Sequence, residues 1–141
     1  MKILILCTGN SCRSQMAQVF LQSFDKRLNV ASAGTDPSGY VHPKAIQVMK
    51  EEGIDLSQNE SESVEKYLDT AWDYVITVCG GAKETCPTFS GDVKHQLHIG
   101  FDDPAEATGT EDEILNEFRR VRDEIKRDFT LFFNEKIKPE L

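Results

Sequence analysis

Lys2 to Leu6 is an unbroken Ile/Leu run that stops at Cys7, and apolar residues resume at helical spacing only from Ser14. A run this short, with no polar alternation, suits a strand buried on both faces, which demands covering layers above and below it. Beyond the loop, Met16, Phe20 and Phe24 fall on one helical stripe with Ala17 and Leu21 beside them. The chain therefore opens as strand, polar loop and helix, the start of a parallel α/β arrangement.

The alternation continues. Leu28 to Ala33 reads as a second strand, stopped by Gly34 and the turn Asp36-Pro37-Ser38-Gly39. Pro43 suits a first helical turn, Ala45, Ile46 and Met49 a buried stripe, and Gly53 a stop. A short helix is predicted over Ser61 to Thr70, a strong strand over Tyr74 to Val78 ending at Cys79, and a weaker strand over Lys94 to Ile99. Thr110 and Glu113 have capping-box spacing for a long helix with the stripe Ile114, Phe118, Val121, Ile125, Phe129 and Phe132, its polar face expected to carry Arg119, Arg120 and Arg122. Strands alternating with helices, without repeat or linker, imply a single α/β domain over residues 1–141 with helices on both faces of a parallel sheet. Ligands of such folds bind beyond the carboxyl ends of the strands, where Cys7, Cys79 and the Phe101-Asp102-Asp103-Pro104 loop all fall.

A net charge of −8 gives nucleic acid little to bind. Met1 to Cys7 carries a single Lys and is broken at once by Thr8-Gly9-Asn10, so it fails as a signal peptide, and no segment approaches the roughly 18 apolar residues of a membrane span. The expectation is a cytoplasmic protein with no membrane partner. There its four cysteines would stay reduced, and any disulfide would be transient and catalytic rather than structural.

The stretch Cys7-Thr8-Gly9-Asn10-Ser11-Cys12-Arg13-Ser14 between strand and helix suits a tetrahedral oxyanion. Backbone N–H groups of a tight loop at a helix N-terminus converge on negative charge, and Arg13 adds a planar two-pronged donor. The same donors would stabilise a thiolate at Cys7 as nucleophile. The Gly-Lys-Ser/Thr ending of a nucleotide loop is missing.

Cys-x5-Arg-Ser followed much later by Asp103-Pro104 resembles the low-molecular-weight tyrosine phosphatases, along nearly the whole chain. The wording Cys-Thr-Gly-Asn-Ser-Cys-Arg-Ser-Gln-Met-Ala is similar to the family's thioredoxin-coupled arsenate reductase branch. The resemblance implies a three-layer fold with a central parallel four-stranded sheet. It implies that Cys7 attacks the central atom of the oxyanion, residues 8–14 bind it with Arg13 holding its oxygens, and Asp103 protonates the leaving group. Asn10 and Ser14 would brace the loop, and Cys12 would support it. Asp102 is the rival acid, placed instead in a turn or in water.

Cys79 and Cys86, six residues apart and followed by Pro87, bear on the choice of branch. A phosphatase needs no such pair; a reductase does, because two electrons must leave the thiols as a disulfide. The resemblance implies a thiol-arsenate adduct on Cys7, attack of Cys79 on Cys7 with release of arsenite, and attack of Cys86 on Cys79, each an exchange between thiols or closely analogous to one. Gly80 and Gly81 fit a segment that must move, or equally a tight turn. Thioredoxin is the external reductant implied, with no tightly bound cofactor and a monomeric chain. Phosphomonoester hydrolysis through a Cys7 phosphocysteine is the alternative, but Ala105 stands where phosphatases place an aromatic wall. Zinc on four cysteines is disfavoured by the six-residue gap, and His42, His95 and His98 read as ordinary surface or turn residues. Some relatives hold potassium near the loop; Asn10 and Ser32 match that site, whereas Gln18 replaces its carboxylate.

Overall fold

A computed structural model describes residues 1–141. Four parallel strands, β1 (Lys2–Cys7), β2 (Asn29–Gly34), β3 (Trp72–Thr77) and β4 (Val93–His98), form one sheet in the order β2-β1-β3-β4. Ile3, Leu4, Ile5 and Leu6 are all fully buried. Successive strand side chains point to opposite faces, so both faces of the sheet are covered there. This is the three-layer α/β arrangement expected. β1 pairs with β2 on one side (Leu4 opposite Ala31) and with β3 on the other (Leu4 opposite Val75). The strand order thus reverses between β1 and β3, the kind of switch point beyond whose carboxyl ends α/β folds bind their ligands.

Four helices surround the sheet: α1 (Arg13–Phe24), α2 (Pro43–Glu51), the five-residue α3 (Gly80–Glu84) and α4 (Glu111–Phe132). Helix α4 has both halves of the Thr110/Glu113 capping box and packs on α1 and α2. Its chain continues through a wider turn, Phe133–Ile137, with Phe133 and Ile137 buried.

Three readings need correction. The helix expected over Ser61 to Thr70 is a single tight turn, Val64–Tyr67, capped by Ser63; only Val64 of that turn is buried, too little apolar surface to hold a helix down. Arg122 is not on the polar face: it is 9% exposed, donates to the Val48 carbonyl in the last turn of α2 at 3.0 Å and pairs with Glu51 at 2.8 Å. It supplies a donor where a helix end leaves carbonyls without intrahelical partners. Leu115, not Ile114, is the buried residue in the first turns of α4, with Ile114 half-buried. β4 is a weak strand for a visible reason, since it lies at the sheet edge and its Lys94 to His98 are exposed.

Candidate active site

The loop from Cys7 to Arg13 is held from outside by its carbonyls. Thr35 donates to the Cys7 carbonyl (3.1 Å), Asp36 to Thr8 (2.9 Å), Ser38 to Gly9 (2.9 Å) and His42 to Ser11 (3.0 Å), all through backbone N–H groups. A trans peptide that points its carbonyl outward points its N–H inward, so this bracing builds a concavity lined by N–H groups. Gly34 makes it fit. A Cβ there would lie 2.5 Å from the Thr8 carbonyl oxygen and 3.1 Å from the Asn10 nitrogen. The sequence shows Gly34 only as a strand stop; its steric role depends on a neighbour far along the chain.

Asn10 is the brace inside the loop. It is fully buried and adopts φ 48°, a left-handed conformation that Asn tolerates better than most residues. Its side-chain amide donates to Ser14 Oγ (2.8 Å) and Ser32 Oγ (2.9 Å), while its Oδ1 accepts from Gln15 Nε2 (3.0 Å) and the Glu62 N–H (2.9 Å). Because Ser14 Oγ accepts from Asn10, its own proton is free for Cys7 Sγ, 2.8 Å away. The Asn10 N–H also donates to Cys7 Sγ, at 3.1 Å. Two donors thus meet the buried sulfur at the end of β1. Gln15, a buried helix residue, has no counterpart among the residues singled out from sequence, where it reads as part of a helix.

Arg13 crosses to the Asp103 loop. Its Nη1 donates to the Phe101 carbonyl at 3.1 Å, its Nη2 lies 3.5 Å from Asp103 Oδ2, and its buried Nε has no hydrogen-bond partner. A buried guanidinium nitrogen without an acceptor is costly unless an anion completes it. Asp103 is fixed at its other oxygen by the Ala105 N–H (3.0 Å) and the Cys12 thiol (3.8 Å). Burial, aided by the Asp103 charge, pushes the Cys12 thiol up to about 12, so it stays protonated. Asp102 turns outward, 77% exposed and paired with Arg120 at 3.2 Å. The fold therefore brings Asp103, and not Asp102, to Arg13.

Cys79 is buried at the end of the β3 segment. Its sulfur caps α3 by accepting from the Ala82 N–H (3.4 Å) and lies 3.5 Å from Thr8 Oγ1, which links it to the loop of Cys7. Gly81 explains part of this closeness: a Cβ there would sit 2.7 Å from Thr8 Oγ1. Gly80 has nothing near it. Cys86 is half-buried and borders an open cavity of about 300 Å³ shared with Val75, Thr77, Lys83, Gln96, Leu97 and His98. All four cysteines are free.

His95 and His98 are exposed, as expected of surface residues, and His42 is half-buried. His42 caps α2, its Nδ1 accepting from the Lys44 N–H at 3.1 Å, and its ring lies 4.8 Å from that of Phe118. His95 stacks on Tyr74 at 4.7 Å. No group of three or more His, Cys, Asp or Glu side chains is close enough to hold a metal ion. At the position where some relatives carry a carboxylate for potassium, Gln18 is tied into the bracing behind the loop. Gln18 accepts from Ser32 Oγ at 2.6 Å and donates to the Val30 carbonyl at 3.1 Å, and both Glu62 oxygens are engaged, by Lys66 and Tyr67.

This strand-loop-helix cradle, with a cysteine at its base and an Arg–Asp pair across its mouth, is the arrangement of a cysteine-dependent oxyanion enzyme. The chain belongs to the low molecular weight phosphotyrosine protein phosphatase family, whose model matches residues 2–141. Within that family it is 45% identical over 131 residues to an arsenate reductase of Halalkalibacterium halodurans, covering 92% of this chain and 93% of that one. Two solved structures resemble it at 29% identity, covering 95% of this chain and 97% of the other. One is an arsenate reductase in the oxidised state (TM-score 0.78); the other is an arsenate reductase in the phosphate-binding state (TM-score 0.71).

Proposed function

We propose that the protein reduces arsenate to arsenite, with Cys7 as nucleophile, Cys79 and Cys86 as the resolving thiols, and thioredoxin as the external reductant. The observation that carries this reading is the placement of a second buried thiol, Cys79, against the loop of the first, through Thr8. Phosphate-ester hydrolysis has no use for it. The oxyanion sits in the N–H concavity, with Arg13 turning from Asp103 to its oxygens. Cys7 displaces an oxygen from arsenic, and Asp103 supplies the proton that lets it leave as water. Cys79 then attacks Cys7 Sγ; the electron pair of the S–As bond passes to arsenic, arsenite departs and a Cys7–Cys79 disulfide remains. Cys86 exchanges with it, leaving a Cys79–Cys86 disulfide near the surface for the reductant. Four unpaired thiols suit a reducing cytoplasm.

The test is arsenate-dependent oxidation of NADPH through thioredoxin and its reductase, run beside Cys86→Ser. Wild-type protein should turn over repeatedly. The variant should release about one arsenite per chain and stall with Cys7 joined to Cys79, a link that mass spectrometry of trapped peptides identifies. Sustained turnover by Cys86→Ser would remove Cys86 from the mechanism.

A further inference from the structure

Cys86 must lose a proton before it can attack the Cys7–Cys79 disulfide, and its surroundings do not help it ionise. Burial raises its thiol above the ordinary cysteine value, with no opposing charge. A base is needed, and the cavity that Cys86 borders contains one.

His98 lies at the end of β4 on the wall of that cavity, facing Thr77 of β3. Its Nδ1 is 2.8 Å from Thr77 Oγ1. The Thr77 hydroxyl has a single proton, and the Leu97 carbonyl, 3.4 Å away and able only to accept, can take it. With the proton so placed, Nδ1 donates to Thr77. In that arrangement the imidazole is the Nδ1–H tautomer and Nε2 has its lone pair free. Gly100 lies beside that nitrogen and sets no side chain against it. A Cβ on Gly100 would lie 2.8 Å from His98 Nε2, and Gly100 has no positive φ to require glycine for backbone reasons. Tautomer, clearance and shared cavity converge on one atom.

We propose that His98 is the base for the second exchange of the relay, taking the Cys86 thiol proton at Nε2 directly or through one water. This rests on the cysteine relay proposed above. The Cys86 S–H bond breaks, its proton goes to Nε2 and its electron pair forms the Cys86–Cys79 bond. The Cys7–Cys79 bond breaks, and its pair leaves on Cys7 Sγ, where the Asn10 N–H and the Ser14 hydroxyl receive it. There is no net oxidation, and Nε2 returns its proton to solvent through the open cavity. The other titratable side chain on the cavity wall is Lys83 of α3; Lys94, on the same face of β4, is held by Asp73 at 3.2 Å.

The experiment mixes reduced full-length protein with arsenate, quenches with acid and alkylating agent, and follows the Cys7–Cys79 and Cys79–Cys86 disulfides by mass spectrometry across pH. In His98→Asn the first disulfide and its arsenite burst should form, while the second exchange slows by about 10²-fold at neutral pH, the lower end of what a positioned base contributes. The deficit should shrink as pH rises and the Cys86 thiol, held above the ordinary cysteine value by burial, begins to ionise unaided. Thr77→Val and Gly100→Ala keep the imidazole but lose its tautomer or its clearance, and should slow the same exchange by several-fold. A wild-type rate and pH profile in His98→Asn would overturn the proposal, as would transfer of the whole effect to Lys83→Gln. Failure of the relay itself reads differently: Cys86→Ser would then turn over, whatever His98 does.

Discussion

The two cysteine-bearing segments of this protein are built in opposite ways. Around Cys7 the loop carbonyls are tied to residues 35–42, and Asn10 alone joins Ser14, Gln15, Ser32 and Glu62. From Cys79 to Cys86 the chain makes a five-residue helix, held by a sulfur cap and by the Thr85 hydroxyl, which donates to the Gly81 carbonyl at 2.7 Å and lies 3.3 Å from Thr35 Oγ1. A site that selects an oxyanion benefits from donors already in place, because reorganising them would add to the barrier. A segment that must carry a disulfide outward benefits from few bonds to break. On the relay proposed above, the difference is between a binding part and a moving part.

The largest effect expected is at the rigid end. Cys7→Ser should abolish both arsenate reduction and phosphate-ester turnover, because a hydroxyl in that position is not ionised near neutral pH. Steady-state assays of both reactions check this, and wild-type turnover in either would remove Cys7 from the centre of the site. Asp103→Asn comes next. It should slow phosphate-ester hydrolysis by roughly 10²–10⁴, the usual contribution of a positioned acid, whereas Asp102→Asn, altering an exposed partner of Arg120, should do far less. Reversed effects in side-by-side rate measurements would show that the outward-facing carboxylate is the acid.

Glycine substitutions probe the contrast itself. Gly34→Ala drives a methyl group against loop backbone, and should cost about 1–3 kcal/mol in urea unfolding together with loss of oxyanion affinity. Gly80→Ala meets nothing and sits in the first turn of α3, so it should be neutral or add up to about 1 kcal/mol of stability. If Gly80→Ala proved as harmful as Gly34→Ala, the segment after Cys79 would be as tightly specified as the loop. A Gly80→Ala protein that keeps its stability but turns over slowly with thioredoxin would instead locate the hinge there.

What the sequence revealed divides along the same line. Helix α4 was readable because its signals are local, a capping box followed by apolar residues at helical spacing. The Cys7 loop was readable as a motif between a strand and a helix, and Asp103 by its place before Pro104. The devices that make the loop stiff were not. The carbonyls bound by residues 35–42, Gly34 under Thr8 and the Gln15 amide on Asn10 are pairings made by the tertiary fold, and none leaves a periodic trace. Arg122 misled for a related reason. A charge next to a buried stripe reads as solvent-facing unless the free carbonyl of the neighbouring helix is already known.

The smallest effect expected concerns the outer bracing, through His42. Its backbone N–H holds the Ser11 carbonyl, its ring caps α2 as a neutral acceptor, and burial against Phe118 lowers its proton affinity, assisted by Lys44 and opposed by Asp103. The folded state therefore binds this proton less readily than the unfolded chain does. Stability from His42 is fully present above the ordinary imidazole value of about 6.5 and declines as pH falls through and below it, because the unfolded state takes the proton first. Urea unfolding at about pH 8 and about pH 5.5, on either side of that value, should show the decline. His42→Asn keeps a side-chain acceptor for the Lys44 N–H but cannot titrate, so it should flatten the pH dependence while leaving stability at the higher pH within roughly 1 kcal/mol of wild type. His42→Ala should lose about 0.5–2 kcal/mol there, the usual cost of removing a cap. An unchanged pH dependence in His42→Asn would assign the decline to carboxylates elsewhere. The bracing of the loop would then be indifferent to protonation at its rim, and the contrast between the two segments would hold across the whole pH range.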